Sequence, residues 1–110
     1  MSIRMNTVAS IGRARTSTDE EGFSITRVSP VAIVRVYREG RHGSVRWANL
    51  AAFSEATDLF RLRTIPNLTI VPGMYVLIGS ERFEILSVED VKGSGMYLEL
   101  LAKKVVPVHG

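Results

Sequence analysis

Met74-Tyr-Val-Leu-Ile78, Gly79-Ser80, Glu81-Arg-Phe-Glu-Ile-Leu-Ser-Val-Glu-Asp-Val91, Lys92-Gly-Ser-Gly95, Met96-Tyr-Leu-Glu-Leu-Leu-Ala-Lys-Lys-Val105: this stretch decides the fold. Three β-rich runs are separated by two glycine turns, the pattern of an antiparallel meander. Gly79-Ser80 suits a two-residue hairpin with glycine first. Pro72-Gly73, just upstream, signals a β-turn of type II. Phe83 and Ile85 point inward by alternation. Leu86 and Val88 break that register, which predicts a bulge near Leu86-Ser87. In the last run Met96, Leu98 and Leu100 are expected in the core, with Glu99 and Lys103 facing water.

Upstream, residues 57–64 alternate, with Phe60 and Leu62 facing in and Arg61 and Arg63 facing out. Pro66-Asn67 turns the chain, and Leu68, Ile70 and Val71 form a short packed bridge. Residues 31–38 are β-rich, with Ala32, Val34 and Val36 on one face and Ile33, Arg35 and Tyr37 on the other. Glu39–Gly43 is a glycine-flanked turn. Residues 44–56 carry two signals. Ser44 can cap a helix and three alanines favour one, yet Val45, Trp47, Asn49, Ala51 and Phe53 also alternate. A short helix is the reading adopted.

Residues 1–30 are the least legible. Ile3, Met5, Val8 and Ile11 fit a first strand or a strand laid on a partner. Thr16–Gly22 is polar and reads as an exposed loop. Phe23, Ile25 and Val28 return the chain to the body, and Ser29-Pro30 marks a break. The expectation is a single, mainly β domain over residues 1–110. It is a small antiparallel β-barrel of residues 31–106 with one short helix, preceded by an extended, flexible or partner-dependent segment of residues 1–30.

The 110 residues suit one domain, and 45% apolar content supports a packed core. The absence of cysteine rules out a disulfide framework and a thiolate zinc site. The first residues carry no apolar core of a signal peptide, and no apolar run approaches a membrane span, so a soluble intracellular protein is expected. The net charge of +3 is unevenly spread. Residues 1–46 hold eight arginines against four acids, and the remainder is nearly balanced. Arginine suits bidentate contacts with carboxylate or phosphate. Arg13, Arg15 and Arg35 are the candidate partner-facing basic residues, against the alternative that they only solvate strand faces.

No residue constellation points to catalysis. His42 and His109 are isolated, Asp19-Glu20-Glu21 lacks the ligand spacing of a calcium loop, and no phosphate-binding glycine loop follows a strand. No enzyme activity, metal or cofactor is expected. Phe60 and Phe83 belong to the core, and Tyr75 and Tyr97 can pair across strands on the outer face. Trp47 and Phe53 fit either a subunit interface or the cap of an open barrel end.

The order of these pieces resembles a known family. A β-rich segment ending in a charged turn (Val31–Gly43) precedes a Trp/Ala-rich stretch (Trp47–Ala56) and Phe60-Arg-Leu-Arg63. Pro72–Asp90, a glycine turn and Tyr97-Leu-Glu-Leu-Leu101 follow. This resembles the phage head–tail joining proteins, also called head-closure, stopper or neck connector proteins. Met74–Val91 carries the most specific similarity, with Phe83 where the family usually has tyrosine. The resemblance covers residues 31–104 best, and its motifs are structural.

The resemblance implies a small antiparallel barrel that assembles as a homo-oligomeric ring in the virion neck of a bacteriophage or prophage. The ring would lie between portal or adaptor and tail, closing the head after DNA packaging, docking the tail and touching packaged DNA transiently. The chain would meet these partners in the bacterial host cytoplasm during assembly, without a membrane, and a monomer before assembly is compatible. A long loop between early strands gates the channel in such families, which places the candidate here at Glu39–Phe53. Arg38, Arg41, His42, Arg46, Trp47 and Phe53 are the candidate subunit and channel interface. Two other readings stay open. One is a tail-terminator or tail-completion protein. The other is a small-barrel nucleic-acid-binding module, which the basic front half and surface tyrosines allow.

Overall fold

In a computed structural model, residues 5–40 and 55–105 are described. Six strands follow one another: β1 (Thr7–Thr18), β2 (Ser24–Gly40), β3 (Asp58–Arg63), β4 (Tyr75–Ile78), β5 (Glu81–Asp90) and β6 (Tyr97–Val105). They close into an antiparallel barrel in the order β1-β2-β3-β6-β5-β4. The one helical element among the described residues is a 3₁₀ turn at Val91–Gly93, and the helix expected at 44–56 lies outside them. The fold is therefore the expected mainly β one.

The alternation of β3, β4 and β5 builds the interior. Phe60, Leu62, Val76, Phe83 and Leu100 are fully buried, with Ile85 almost so. The rings of Phe60 and Phe83 meet edge to face, 5.1 Å between centroids, a favoured geometry of the aromatic quadrupoles. From β2, Val36 is buried, Ala32 and Val34 pack against the core, and Ile33 is 78% exposed, the division that its alternation sets. The meander turns are also as read. Tyr75–Ile78 pairs with Glu81–Glu84 across Gly79-Ser80. The β5–β6 register shifts between Ile85 and Ser87, where Leu86 is the extra residue. Gly73 has φ +95° and the Met74 amide bonds back to the Val71 carbonyl at 3.2 Å, so Pro72-Gly73 is a type II turn.

The structure departs from the sequence expectations at several points. Met96 precedes β6 and is 60% exposed, whereas Leu98 and Leu100 do face the core. Glu99 is 5% exposed rather than facing water, because it lies opposite Arg61 in the β3–β6 register and accepts from the Arg61 Nε at 3.1 Å and from Nη2. Tyr75 and Tyr97 do not pair, since β5 stands between β4 and β6. Ser29-Pro30 does not break the chain, and β2 runs straight through it. The β1–β2 register shifts there, with Ile11 opposite Ala32 and Gly12 opposite Pro30, so Val31 is an extra residue. Proline is tolerated in a sheet at a bulge or an open edge, and this position is both.

For residues 1–30 the sequence leaves open a first strand or a flexible or partner-dependent segment laid on a neighbour, with the barrel body beginning at residue 31. Thr7–Gly12 form that first strand and belong to the barrel sheet, paired to β2 on one side and, over Ser10–Gly12, to β4 on the other, so the barrel body begins before residue 31. Beyond Gly12 the β1–β2 hairpin leaves the barrel. Arg13–Thr18 pair only with Ser24–Ser29 among the described strands, and β2 meets β3 only from Val36 onward. The result is a two-stranded ribbon, about 20 Å long at 3.3 Å per residue. It contributes to an elongated shape of 53 × 31 × 23 Å. Phe23 and Ile25 sit near its tip, 65% and 37% exposed, and so do not return to the body.

Candidate assembly surface

The two ends of the barrel are closed differently. At the end where β2 leaves and β3 enters, Arg38 lies across the opening. Its Nε donates to Asp58 Oδ2 at 2.8 Å, its Nη1 donates to Glu81 Oε2 at 3.3 Å, and its guanidinium covers the Phe83 ring at 4.9 Å. Glu81 also accepts from Lys104 Nζ at 3.1 Å, and the buried Asp58 accepts from the Thr57 hydroxyl at 2.8 Å. The hydrogen bond from Lys104, with the charges of Lys104 and Arg38, holds the Glu81 carboxyl below its ordinary value. This clasp ties β2, β3, β5 and β6 together. Arg38→Ala is expected to destabilise the domain by about 1.5 kcal/mol, the low end for hydrogen bonds to charged groups because Arg38 is part-exposed. Urea unfolding of the two proteins measures it.

At the opposite end the connection from β3 to β4 folds over the core, with Ile70 and Met74 buried and Ile65 and Leu68 packed against them. An apolar cleft of about 340 Å³ opens beside it, where β2 splays from β3, lined by Met5, Val34, Arg35, Arg63, Thr64, Ile65 and Pro66. The ribbon projects from this same end.

The ribbon has two faces. A β-carbon at Gly12 would stand 2.5 Å from Val28 Cγ1 and 3.1 Å from Leu77 Cδ1, so Gly12, Val28 and Leu77 share the outer face. Alternation then puts Arg13 and Arg15 on the other face, which prolongs the barrel interior into solvent. Their register partners are Ser29 and Arg27, and Ser17 faces Ile25 on the same side. Arg13, Arg15, Arg27 and Ile25 are all exposed there. Arg35 lies elsewhere, on the outer surface opposite Val8 and at the rim of the cleft.

At the tip, Asp19 shapes the turn. Its Oδ1 accepts from the Glu21 and Phe23 amides at 3.0 and 2.8 Å, and Gly22 takes φ +87°. Glu20, Glu21 and Phe23 are left exposed. The tip is acidic, therefore, and the stem cationic.

A barrel filled by its own side chains, clasped at one end and extended into a charged ribbon at the other, has the form of an assembly part. The phage head completion protein family matches residues 1–105 of the chain. The chain belongs to this family. A search of the curated proteins finds no significant match. Among solved structures, a chain in the virion of a native gene transfer agent particle is similar at TM-score 0.59 and 20% identity, covering 94% of this chain and 98% of that one. The solution structure of protein SF1141 from Shigella flexneri 2a is similar at TM-score 0.66 and 12% identity, covering 93% and 94%. At such identities these two likenesses concern the fold.

Membership of the head completion family gives the chain a structural role in the head or neck of a phage-type particle. No helix among the described residues is long and apolar enough to cross a membrane, and no group of their Asp and Glu side chains could hold a metal ion. Of the residues singled out from the sequence, Arg13 and Arg15 come together on the ribbon and Arg35 stands apart. Arg38 engages partners inside its own subunit. Arg41, His42, Arg46, Trp47 and Phe53 lie outside the described residues. Sequence reasoning missed Arg27 as a member of the basic face. Its signal was the alternation Ile25, Arg27, Ser29, obscured by taking Pro30 for a break.

Proposed function

We propose that the protein forms a ring in the neck of the particle, between portal or adaptor and tail, closing the head after DNA packaging and presenting a surface on which the tail docks. The observation that carries this reading is the head completion family match along nearly the whole chain. The physical form supports it. The core is a self-filled barrel, and polar side chains are gathered on the rim and the ribbon, where neighbours would touch. A ring repeats each of its lumen side chains once per subunit, so a few arginines suffice for a charged belt. A denser belt would grip DNA during its exit.

In this reading Arg13, Arg15 and Arg35 face acidic neighbours. Arg41, His42, Arg46, Trp47 and Phe53 remain the sequence-based candidates for the subunit and channel interface. Arg38 contributes mainly by bracing the barrel end. The role requires no catalysis.

Particles assembled without the protein test it. The expected result is filled heads that lose their DNA and carry no tails, with purified protein restoring both retention and tail attachment. Restored tails with DNA retention unaffected throughout would assign a tail-terminator role instead. Salt-sensitive binding of the isolated chain to DNA, with normal particles in its absence, would assign a nucleic-acid-binding module.

A further inference from the structure

The arginine face of the ribbon is an unusual surface. Arg15 stands directly opposite Arg27 in the register, and Arg13 lies on the same face two residues along. Like charges directly opposite each other destabilise a strand pair. Here they sit on a two-stranded ribbon with no third described strand to support it, a structure that is marginal by itself. None of the three forms an ion pair with a described acid, and the acids on the same ribbon are confined to its tip. Asp19 is occupied by the turn amides, and Glu20 and Glu21 point into solvent.

We propose that the arginine face seats the acidic tip of the same ribbon in a second copy of the chain, making this the contact between neighbouring subunits. The inference rests on the ring reading above and names the surfaces that would close the ring. The three guanidiniums on the stem face a tip whose exposed charges, Glu20 and Glu21, are both carboxylates. The apolar groups match too, with Phe23 exposed beside the tip carboxylates and Ile25 exposed beside Arg27. A phosphodiester backbone would leave these two side chains without an apolar counterpart, whereas another ribbon supplies one. Tip and stem are different surfaces on every copy, and a ring requires such a pair of unlike, mutually complementary surfaces. Among the described residues the ribbon beyond Gly12 stands clear of the barrel, open to an approaching neighbour.

Charge reversal tests the contact in assembling particles, with the amount of chain in purified particles measured by quantitative mass spectrometry. Arg15→Glu with Arg27→Glu is expected to lower incorporation by about tenfold or more, as is Glu20→Arg with Glu21→Arg, because each brings like charges together at the interface. All four substitutions in one chain are expected to restore incorporation to within about twofold of the native chain. Circular dichroism and thermal unfolding of each purified variant establish that it is folded. A folded variant reversed on one surface alone, stem or tip, that incorporates normally overturns the proposal. So does a folded fourfold variant that fails to recover, which would point to DNA or another protein on the arginine face. Particles that never contain the native chain would instead sink the neck reading itself.

Discussion

Phe83→Ala is expected to remove about 3–5 kcal/mol of folding free energy, the range for deleting a large aromatic from a packed interior. The domain's whole stability is expected near 5–15 kcal/mol, so the variant sits close to unfolding at physiological temperature. Three effects coincide at this one side chain. Phe83 is fully buried between strands, so its removal leaves a cavity at the centre of the barrel. It supplies half of the edge-to-face pair with Phe60. It is also the platform under the Arg38 guanidinium, so the clasp to Asp58 and Glu81 loses its floor. Denaturant unfolding followed by circular dichroism gives the free energy. A loss below about 1.5 kcal/mol would mean that the barrel collapses around the gap and is not the rigid, self-filled body described above.

Gly12→Leu addresses the root of the ribbon. There the missing side chain makes room for Val28 and Leu77, and a β-carbon would already be 2.5 Å from Val28 Cγ1. Val28 is β-branched and cannot readily turn that methyl away. Overpacking of this kind costs about 1–3 kcal/mol. The strain falls where β1 passes from a barrel strand paired on both sides to a ribbon strand paired on one. The expected outcome is a lower denaturation midpoint with the barrel signal intact, together with tail attachment reduced more than the stability loss explains. Equal losses in both would make Gly12 a packing residue only.

The sequence was most legible where each residue's environment is set by its near neighbours. The Pro72-Gly73 and Gly79-Ser80 turns, the inward Phe83 and Ile85, and the extra residue at Leu86 all followed from alternation and turn chemistry. It was least legible where long-range pairing decides. Glu99 looks like a surface carboxylate until β3 brings Arg61 opposite it. Tyr75 and Tyr97 look like partners until the order of strands in the ring separates them. Residues 1–30 are hard to read for a related reason. A ribbon with water on both faces needs no alternation of apolar and polar residues, so β1 and early β2 lack the usual mark of a strand. Of the basic face, Arg13 and Arg15 could be picked out by type. Their meeting with Arg27 depended on a hairpin register that no local signal fixes.

The ribbon also has the form of a lever. Among the described strands it meets the barrel only at Gly12 and the neighbouring bulge, and its arm is roughly 20 Å long at 3.3 Å per residue. A rotation of about 10° at that pivot sweeps the tip through roughly 3–4 Å, while the barrel stays where it is. A rigid disc of identical subunits would demand one fixed spacing. If the ribbons are the contacts between copies, as proposed, pivoting of this size would let each copy take up small errors in the position of the next, and a snug circle could be built from bodies that do not themselves deform.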